Sequence, residues 1–326
     1  MQRVLLLPRR LAGSIAPALL LLVLSPVVQA EDAAQWLARA AQAARTLNYV
    51  GTIVYQIGPR VETSRLAHLV DNGVELEKLV NLDGPAREVV RTQTDVRYYY
   101  PDVKLVKIEP RTFRNVFPSL SAEQQRSLSQ YYDFRVVTGE RVGGRAAEVV
   151  SFEPRDGLRY AHRFWSDTAT GLLLKARVMN ERGDIVEQFA FTDLSVNAPI
   201  DRALVEPSWA KAPSDWTIRE GAGGDVKQMD TGWMVARIPP GFAKIMEGVR
   251  KLRGRPDPVA HLVFSDGLVA ISVFVEPLPP TANTGPQQQG GLSIYSVRLD
   301  DHLITAIGEA PGATVRQIAN SVQPRR

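Results

Sequence analysis

Between Tyr49 and Phe191 the chain is punctuated by turn formers spaced too closely for long helices to fit between them. They are Asn72-Gly73, Asp83-Gly84-Pro85, Gly143-Gly144, Asp156-Gly157, Thr170-Gly171 and Arg182-Gly183-Asp184. The segments between them alternate, as in Tyr49, Ile53, Tyr55 and Ile57, which is the period of a half-buried strand. Asn-Gly adopts positive φ at little cost, so Arg65–Val70 and Val74–Val80 read as a tight hairpin. Val90, Thr92, Thr94, Val96, Tyr98 and Tyr100 read as one face of a single strand that Pro101 ends. Further strands follow at Arg135–Thr138, Ala147–Phe152, Leu158–Trp165, Leu172–Val178 and Ile185–Phe191. Short connections force antiparallel neighbours, so the expectation is a large antiparallel meander.

Two helices are expected beside it. Asp32 is placed to cap the first, whose Ala33, Trp36, Leu37, Ala40, Ala41, Ala44 and Leu47 form one apolar stripe suited to packing on a sheet. Ser121 and Gln124 form a capping box for the second, with Leu128 and Tyr132 on one side. The stretch TFRNVFPSL before it has neither period and reads as a long loop.

After Asn197 the character changes. Pro199, Pro207 and Pro213, then Gly221, Gly223 and Gly224, leave few backbone contacts, so residues 201–225 read as a linker. A smaller unit, 226–326, has strands at Trp233–Ile238, His261–Phe264, Leu268–Val275 and Ile294–Leu299, and a closing helix through Val315, Ile318, Ala319 and Val322. The stretch PLPPTANTGPQQQGG between them reads as a flexible excursion.

Residues 1–30 read as an export signal: Arg3, Arg9 and Arg10, then an apolar run broken by Pro17 and Pro26, then Val28-Gln29-Ala30 before Glu31-Asp32. The uninterrupted part, Ala18–Leu24, is far short of the roughly 20 residues of a membrane span. The expected location is the periplasm. The mature chain begins at Glu31, and residues 31–200 make its large domain. Cleavage removes three of the 39 basic residues and none of the 35 acidic ones. The remainder is nearly neutral, which argues against nucleic acid as a partner. The chain has no cysteine, so it has no disulfide, no thiolate metal site, no cysteine nucleophile and no bacterial lipoprotein anchor.

A catalytic centre does not assemble from the sequence. His68, His162, His261 and His302 show no ligand spacing. Nucleophile-elbow and phosphate-loop motifs are absent, and Gly221-Ala222-Gly223-Gly224 lacks the flanking strand and helix a phosphate grip requires. Asp71, Asp83, Asp156, Asp184 and Asp266 sit in turns, where carboxylates bond their own backbone. The reading is a binding protein without catalytic residues, metal or cofactor. Apolar side chains on both faces of the expected sheet are either covered by helices or line a cavity. Their phase on consecutive strands, with the Phe-containing loop, gives candidate lining residues Tyr98, Tyr100, Phe113, Phe117, Tyr160, Phe164, Leu174 and Phe189.

Several short motifs, in order along both halves, carry a resemblance. They are Leu47-Asn48-Tyr49, Leu82–Arg91, Ser129-Gln130-Tyr131-Tyr132-Asp133-Phe134, Arg155–Tyr160, Glu187–Phe189, Pro239–Phe242, Phe264–Val275 and Ile307–Val322. From about Trp36 onward the chain resembles the RseB/MucB family of periplasmic regulators of the envelope-stress sigma factor; the loop Arg298–Leu303 fits that pattern only loosely. The resemblance implies an α+β protein: a large half-open antiparallel β-barrel with helices, like the lipoprotein carriers LolA and LolB, plus a smaller α+β C-terminal domain. It also implies binding to the periplasmic segment of a transmembrane anti-sigma factor, protection of that segment from the first protease, and release by lipid or lipopolysaccharide-type ligands. That supports the cavity. It makes Asn81–Val90 a hairpin corner of a binding scaffold, with Arg87-Glu88 a surface pair. The alternative is a periplasmic lipid or lipoprotein carrier of the LolA type; a homo-oligomer remains open.

Overall fold

The computed structural model describes residues 30–111, 128–209, 215–220, 226–252 and 257–325, with only the backbone path for 30–34. The export signal, Phe113, Phe117 and the Ser121–Gln124 capping box lie outside these residues. Helix α1 (Ala30–Thr46) leads into β1 (Tyr49–Ile57), β2 (Arg60–Asp71), β3 (Val74–Asn81), β4 (Glu88–Arg91), β5 (Asp95–Tyr100) and β6 (Leu105–Pro110). The chain resumes in a helical segment, α2 (residues 128–131), before β7 (Tyr132–Val142), β8 (Arg145–Pro154), β9 (Ala161–Asp167), β10 (Leu173–Met179), β11 (Ile185–Val196) and β12 (Thr217–Glu220). These twelve strands make one sheet in the order β12-β6-β5-β4-β3-β2-β1-β11-β10-β9-β8-β7. Every neighbour is antiparallel except β12, which runs parallel to β6. The first strand pairs with β11 and so joins two meanders; β12 and β7 remain separate edges, and the barrel stays open.

Local chemistry explains much of this. Asn72 and Gly73 both have positive φ, as a two-residue hairpin turn demands. Asp83 holds the next corner: both its carboxylate oxygens accept the Thr63 amide at 3.0 Å. Helix α1 buries Trp36, Leu37 and Ala40 of the expected stripe, together with Ala43, while Ala41, Ala44 and Leu47 are half-buried at its margin. It starts at Ala30, so Asp32 lies inside it and not at its cap.

Three expectations are corrected. The run from Val90 to Tyr100 is a hairpin, because the Thr92 hydroxyl accepts the amides of Thr94 and Asp95 and closes a turn. Val90 consequently joins Tyr99 and Val106 on the face opposite Tyr98. The stretch 201–225 is tied to the sheet at two points. Thr217–Glu220 adds β12 to the edge of β6, and Lys78 Nζ donates to the Glu206 carbonyl and the Ser208 hydroxyl, both at 2.8 Å. Arg87 and Glu88 are not a surface pair. Arg87 bridges to Glu62 at 2.9 Å, while Glu88 is buried, meets Lys78 at 3.1 Å and accepts the Ser208 amide.

The smaller unit carries β13 (Lys227–Gln228), β14 (Trp233–Val235), β15 (Ala243–Arg250), β16 (Val259–Ser265), β17 (Ala270–Pro277), β18 (Gly285–Gln289), β19 (Leu292–Leu299), β20 (His302–Gly308), α3 (Gly312–Ala319) and β21 (Val322–Pro324). Its main sheet has the order β13-β15-β16-β17-β20-β19-β18, with β14 and β21 paired apart. Helix α3 seats Val315 and Ile318 in a core with Phe264, Ile271, Val273 and Ile304. Part of the expected excursion is ordered as β18, an edge strand on β19. The whole is α+β, an open strand-rich unit followed by a smaller sheet unit. Among the described residues no helix is long and apolar enough to cross a membrane.

Candidate functional site

The strand registers decide which candidate residues share a face. Val136, Val150, Phe164, Ala176, Phe189 and Tyr55 are successive cross-strand partners in one row over β7, β8, β9, β10, β11 and β1. The same face continues through Leu66, Leu79, Val89 and Tyr98, with Tyr100 two residues on. Four candidates, Tyr98, Tyr100, Phe164 and Phe189, therefore lie on one continuous face. All four are half-buried. Helix α1 covers the end near Phe164, where Trp36 stacks at 6.0 Å and Phe152 meets Phe164 edge-on at 5.8 Å.

The face is not uniformly apolar. The Tyr55 hydroxyl donates to Glu187 at 2.7 Å in its middle, and burial, with that carboxylate, pushes the Tyr55 phenol upward. At the far end Tyr100 borders an open groove of about 440 Å³ with Arg60, Glu62, Asn81 and Arg87. A second groove, of about 520 Å³, runs beside α1 and is edged by Arg39, Gln42, Glu148 and Asp167.

Two candidates lie elsewhere. Leu174 is fully buried with Trp165, Val149 and Val142 on the opposite face, because the register slips between Leu173 and Lys175. Leu173 takes its place beside Phe152. Tyr160 is buried at the junction with the smaller unit, with Ser293 of that unit beside it; burial pushes its phenol upward.

That junction is the most elaborate polar arrangement in the described chain. Arg159, 1% exposed, donates to Asp266 at 3.1 Å, to Asp156 at 3.1 Å and to the Pro240 carbonyl. Its guanidinium lies 4.5 Å from the Tyr131 ring centre and 5.2 Å from that of Phe242. The Tyr132 hydroxyl donates to Asp266 at 2.9 Å. Asp266 also accepts the Leu268 and Val269 amides, so its turn role and its junction role coincide. Burial, then Asp266, drives the Tyr132 phenol well above its ordinary range. Nearby His162 is buried between the Tyr132 and Phe164 rings, and burial pushes it down to about 4, with Asp266 opposing. Thr314 closes the contact with a 2.8 Å bond to the Leu158 carbonyl.

The motifs around Tyr131-Tyr132, Arg159, Pro240-Phe242 and Asp266 thus meet in one place, although the sequence scatters them over both units. Reasoning from residue types missed the junction, because aspartates beside glycines read as turn formers. Their order in both halves was the available signal. The remaining three histidines serve locally: His68 Nδ1 meets the Leu47 carbonyl at 2.8 Å, His261 meets Ser272 at 3.1 Å, and His302 packs edge-on against Trp233 at 4.9 Å.

Comparison with known proteins agrees across both units. The MucB/RseB N-terminal domain matches residues 32–209 and the MucB/RseB C-terminal domain residues 227–323. The sigma factor AlgU regulatory protein MucB of Pseudomonas aeruginosa is 34% identical over 314 residues, covering 92% of this chain and 93% of that protein. The sigma-E factor regulatory protein RseB of Salmonella typhimurium is 29% identical over 284 residues, covering 87% and 88%. A crystal structure of MucB in complex with MucA(peri) superposes with a TM-score of 0.70 at 30% identity, over 90% of this chain and 100% of that one. The chain belongs to the MucB/RseB family, whose curated relatives are regulatory proteins of sigma factors.

Proposed function

We propose that the mature chain works in the periplasm as a negative regulator of a sigma-E-type envelope-stress response. It binds the periplasmic segment of a membrane-anchored anti-sigma factor, shields that segment from the first protease, and lets go when a lipid or lipopolysaccharide-type ligand enters the large unit. It acts by binding, without catalysis. The observation that carries this reading is the family match through both units, together with a relative solved in complex with MucA(peri) at 0.70 TM-score. Residues 31–200 and 226–326 act as two units joined by 201–225, and residues 1–30 direct export. The half-buried rings of Tyr98, Tyr100, Phe164 and Phe189 line the ligand face, with Phe113 and Phe117 as further lining residues. An amphipathic ligand suits a face that carries rings beside Tyr55 and Glu187.

The test is a titration of the anti-sigma periplasmic segment against the full mature chain, with and without lipid, followed by protease challenge of the segment. Saturable binding, protection from cleavage and weakening by lipid are the expected results. Lipid binding with no affinity for the segment sinks the regulator reading and leaves a lipid carrier in its place.

A further inference from the structure

The face opposite α1 holds a feature that neither ligand binding under the helix nor the domain junction uses. Three cations converge on the Trp165 ring: Lys175 Nζ lies 4.6 Å from its centre, Arg177 Cζ 5.6 Å and Arg163 Cζ 5.9 Å. Trp165 is 3% exposed, so the cations lie over it as an outer layer. Arg163 and Arg177 are directly opposed cross-strand partners on β9 and β10. Like charges in that position repel and weaken the ladder. Arg135 extends the same row, through Ser151.

Neutralising groups are scarce. Glu140 accepts the Trp165 indole N–H at 2.6 Å and is the carboxylate that acts on Lys175. Arg177 bonds Gln188 at 2.8 Å, a neutral partner. Arg163 Nε is buried and has no partner among the described residues. Burial and the two neighbouring arginines push the Lys175 ammonium down, which records the same excess of positive charge. The Trp165 ring gives each cation a favourable contact, yet three close cations still face one carboxylate, and a planar guanidinium pair with an ammonium matches a tetrahedral oxyanion.

We propose that Arg163, Lys175 and Arg177 form a binding site for a phosphate group, held in register by the Trp165 ring and separate from the helix-covered face. Its donors are the two guanidinium forks and the Lys175 ammonium. Phosphate borne by a soluble ester and phosphate borne by a lipid headgroup present the same oxygens to them.

The site is tested on the full mature chain by following the Trp165 indole N–H resonance during titration with inorganic phosphate at constant ionic strength, with chloride as reference. A parallel arm measures co-sedimentation with phosphatidic acid vesicles against phosphatidylcholine vesicles. A saturable shift with phosphate assigns a soluble ester; binding confined to phosphatidic acid vesicles assigns a headgroup. Arg163→Gln and Arg177→Gln each weaken that binding at least tenfold. Each removes a repulsion along with a contact to the Trp165 ring, and the two offset, so the melting temperature shifts little. The proposal is overturned by a phosphate response no different from chloride together with equal sedimentation on both vesicles. It is equally overturned by variants that melt lower while binding as before, since the cations would then be ring cover alone.

Discussion

Asp266 shows how one residue answers to two constraints. Its Oδ1 closes its own turn, and its Oδ2 receives Arg159 and Tyr132 from the large unit. Arg159 is 1% exposed, and its other carboxylate, Asp156 at 3.1 Å, is partly open to solvent where Asp266 is fully buried. Removing one partner of a buried pair leaves an unpaired charge and typically costs about 3–5 kcal/mol. Because Asp156 still faces the guanidinium, Asp266→Asn should lower the unfolding free energy by less than that, about 2 kcal/mol in urea titration. A loss below about 1 kcal/mol means that the junction is solvated in solution. His162 supplies a pH dependence of known sign. Its folded-state pKa is depressed to about 4 by burial, against 6.5 unfolded. The unfolded chain therefore takes up the proton first, and stability falls as pH drops from about 6.5 towards 4, by about 3 kcal/mol in full. The depressed carboxylates, such as Glu247 at about 2 against 4.5 unfolded, lose their contribution mainly below pH 4.5, so the histidine part is read above that. His162→Phe keeps the ring contacts and should about halve the loss of melting temperature as pH falls from 6.5 to 4.5, the remainder coming from His261, which burial also pushes down to about 4; an unchanged slope would show that His162 does not titrate there.

Elements were legible where local chemistry decides them. The stripe of α1, the Asn72-Gly73 hairpin and the strand train from Arg135 to Phe191 follow from period and turn residues alone. The misses share a cause, which is that a distant partner decided the outcome. β12 exists because β6 offers a free edge, and β18 because β19 does; neither sequence announces a strand. The Val90–Tyr100 run kept a perfect alternation, yet the Thr92 hydroxyl captured two amides and turned the chain. Register slip, invisible in sequence, moved Leu174 off the face that Phe164 and Phe189 share. The grouping of Tyr98, Tyr100, Phe164 and Phe189 was accessible from alternation, since each lies in phase on its own strand. The connector gives a test at this scale. Lys78 and Glu88, 9% and 5% exposed, clamp it through the Glu206 carbonyl, the Ser208 hydroxyl and the Ser208 amide. Lys78→Met strands Glu88 as a buried charge and frees the 206–208 backbone. Limited proteolysis should then cut near Ser208 at least tenfold faster than in the parent, and a cleavage rate equal to the parent's would show that β12 alone holds the connector.

For the whole molecule, the question is what fixes the two units in one arrangement. A Pro- and Gly-rich connection argues for free movement, but the connector is pinned at Lys78 and β12, and the units meet through a buried network. The arrangement in the structure is therefore favoured by definite contacts, and a ligand can shift it only by its differential affinity for an alternative. Pinning also raises the local concentration of the second unit at a segment already held by the first, to the order of millimolar or above. Two variants separate arrangement from chemistry. Asp266→Asn loosens the junction. The triple substitution Tyr132→Phe, Arg159→Met and Asp266→Asn removes the buried charges while the side-chain carbonyl at 266 still closes its turn, and replacing a buried ion pair by less polar packing is often neutral or stabilising. On the reading that both units grip the anti-sigma segment, Asp266→Asn weakens binding by about tenfold as the second contact loses its preset geometry. The triple variant, rigid but uncharged, binds within about twofold of the parent, because the network orients the units and does not touch the segment. Calorimetric titration of the segment against the three full-length mature proteins reads both numbers. Equal affinity in all three places the whole binding energy on one unit. Loss in the triple variant as deep as in Asp266→Asn would instead put the junction residues themselves against the segment.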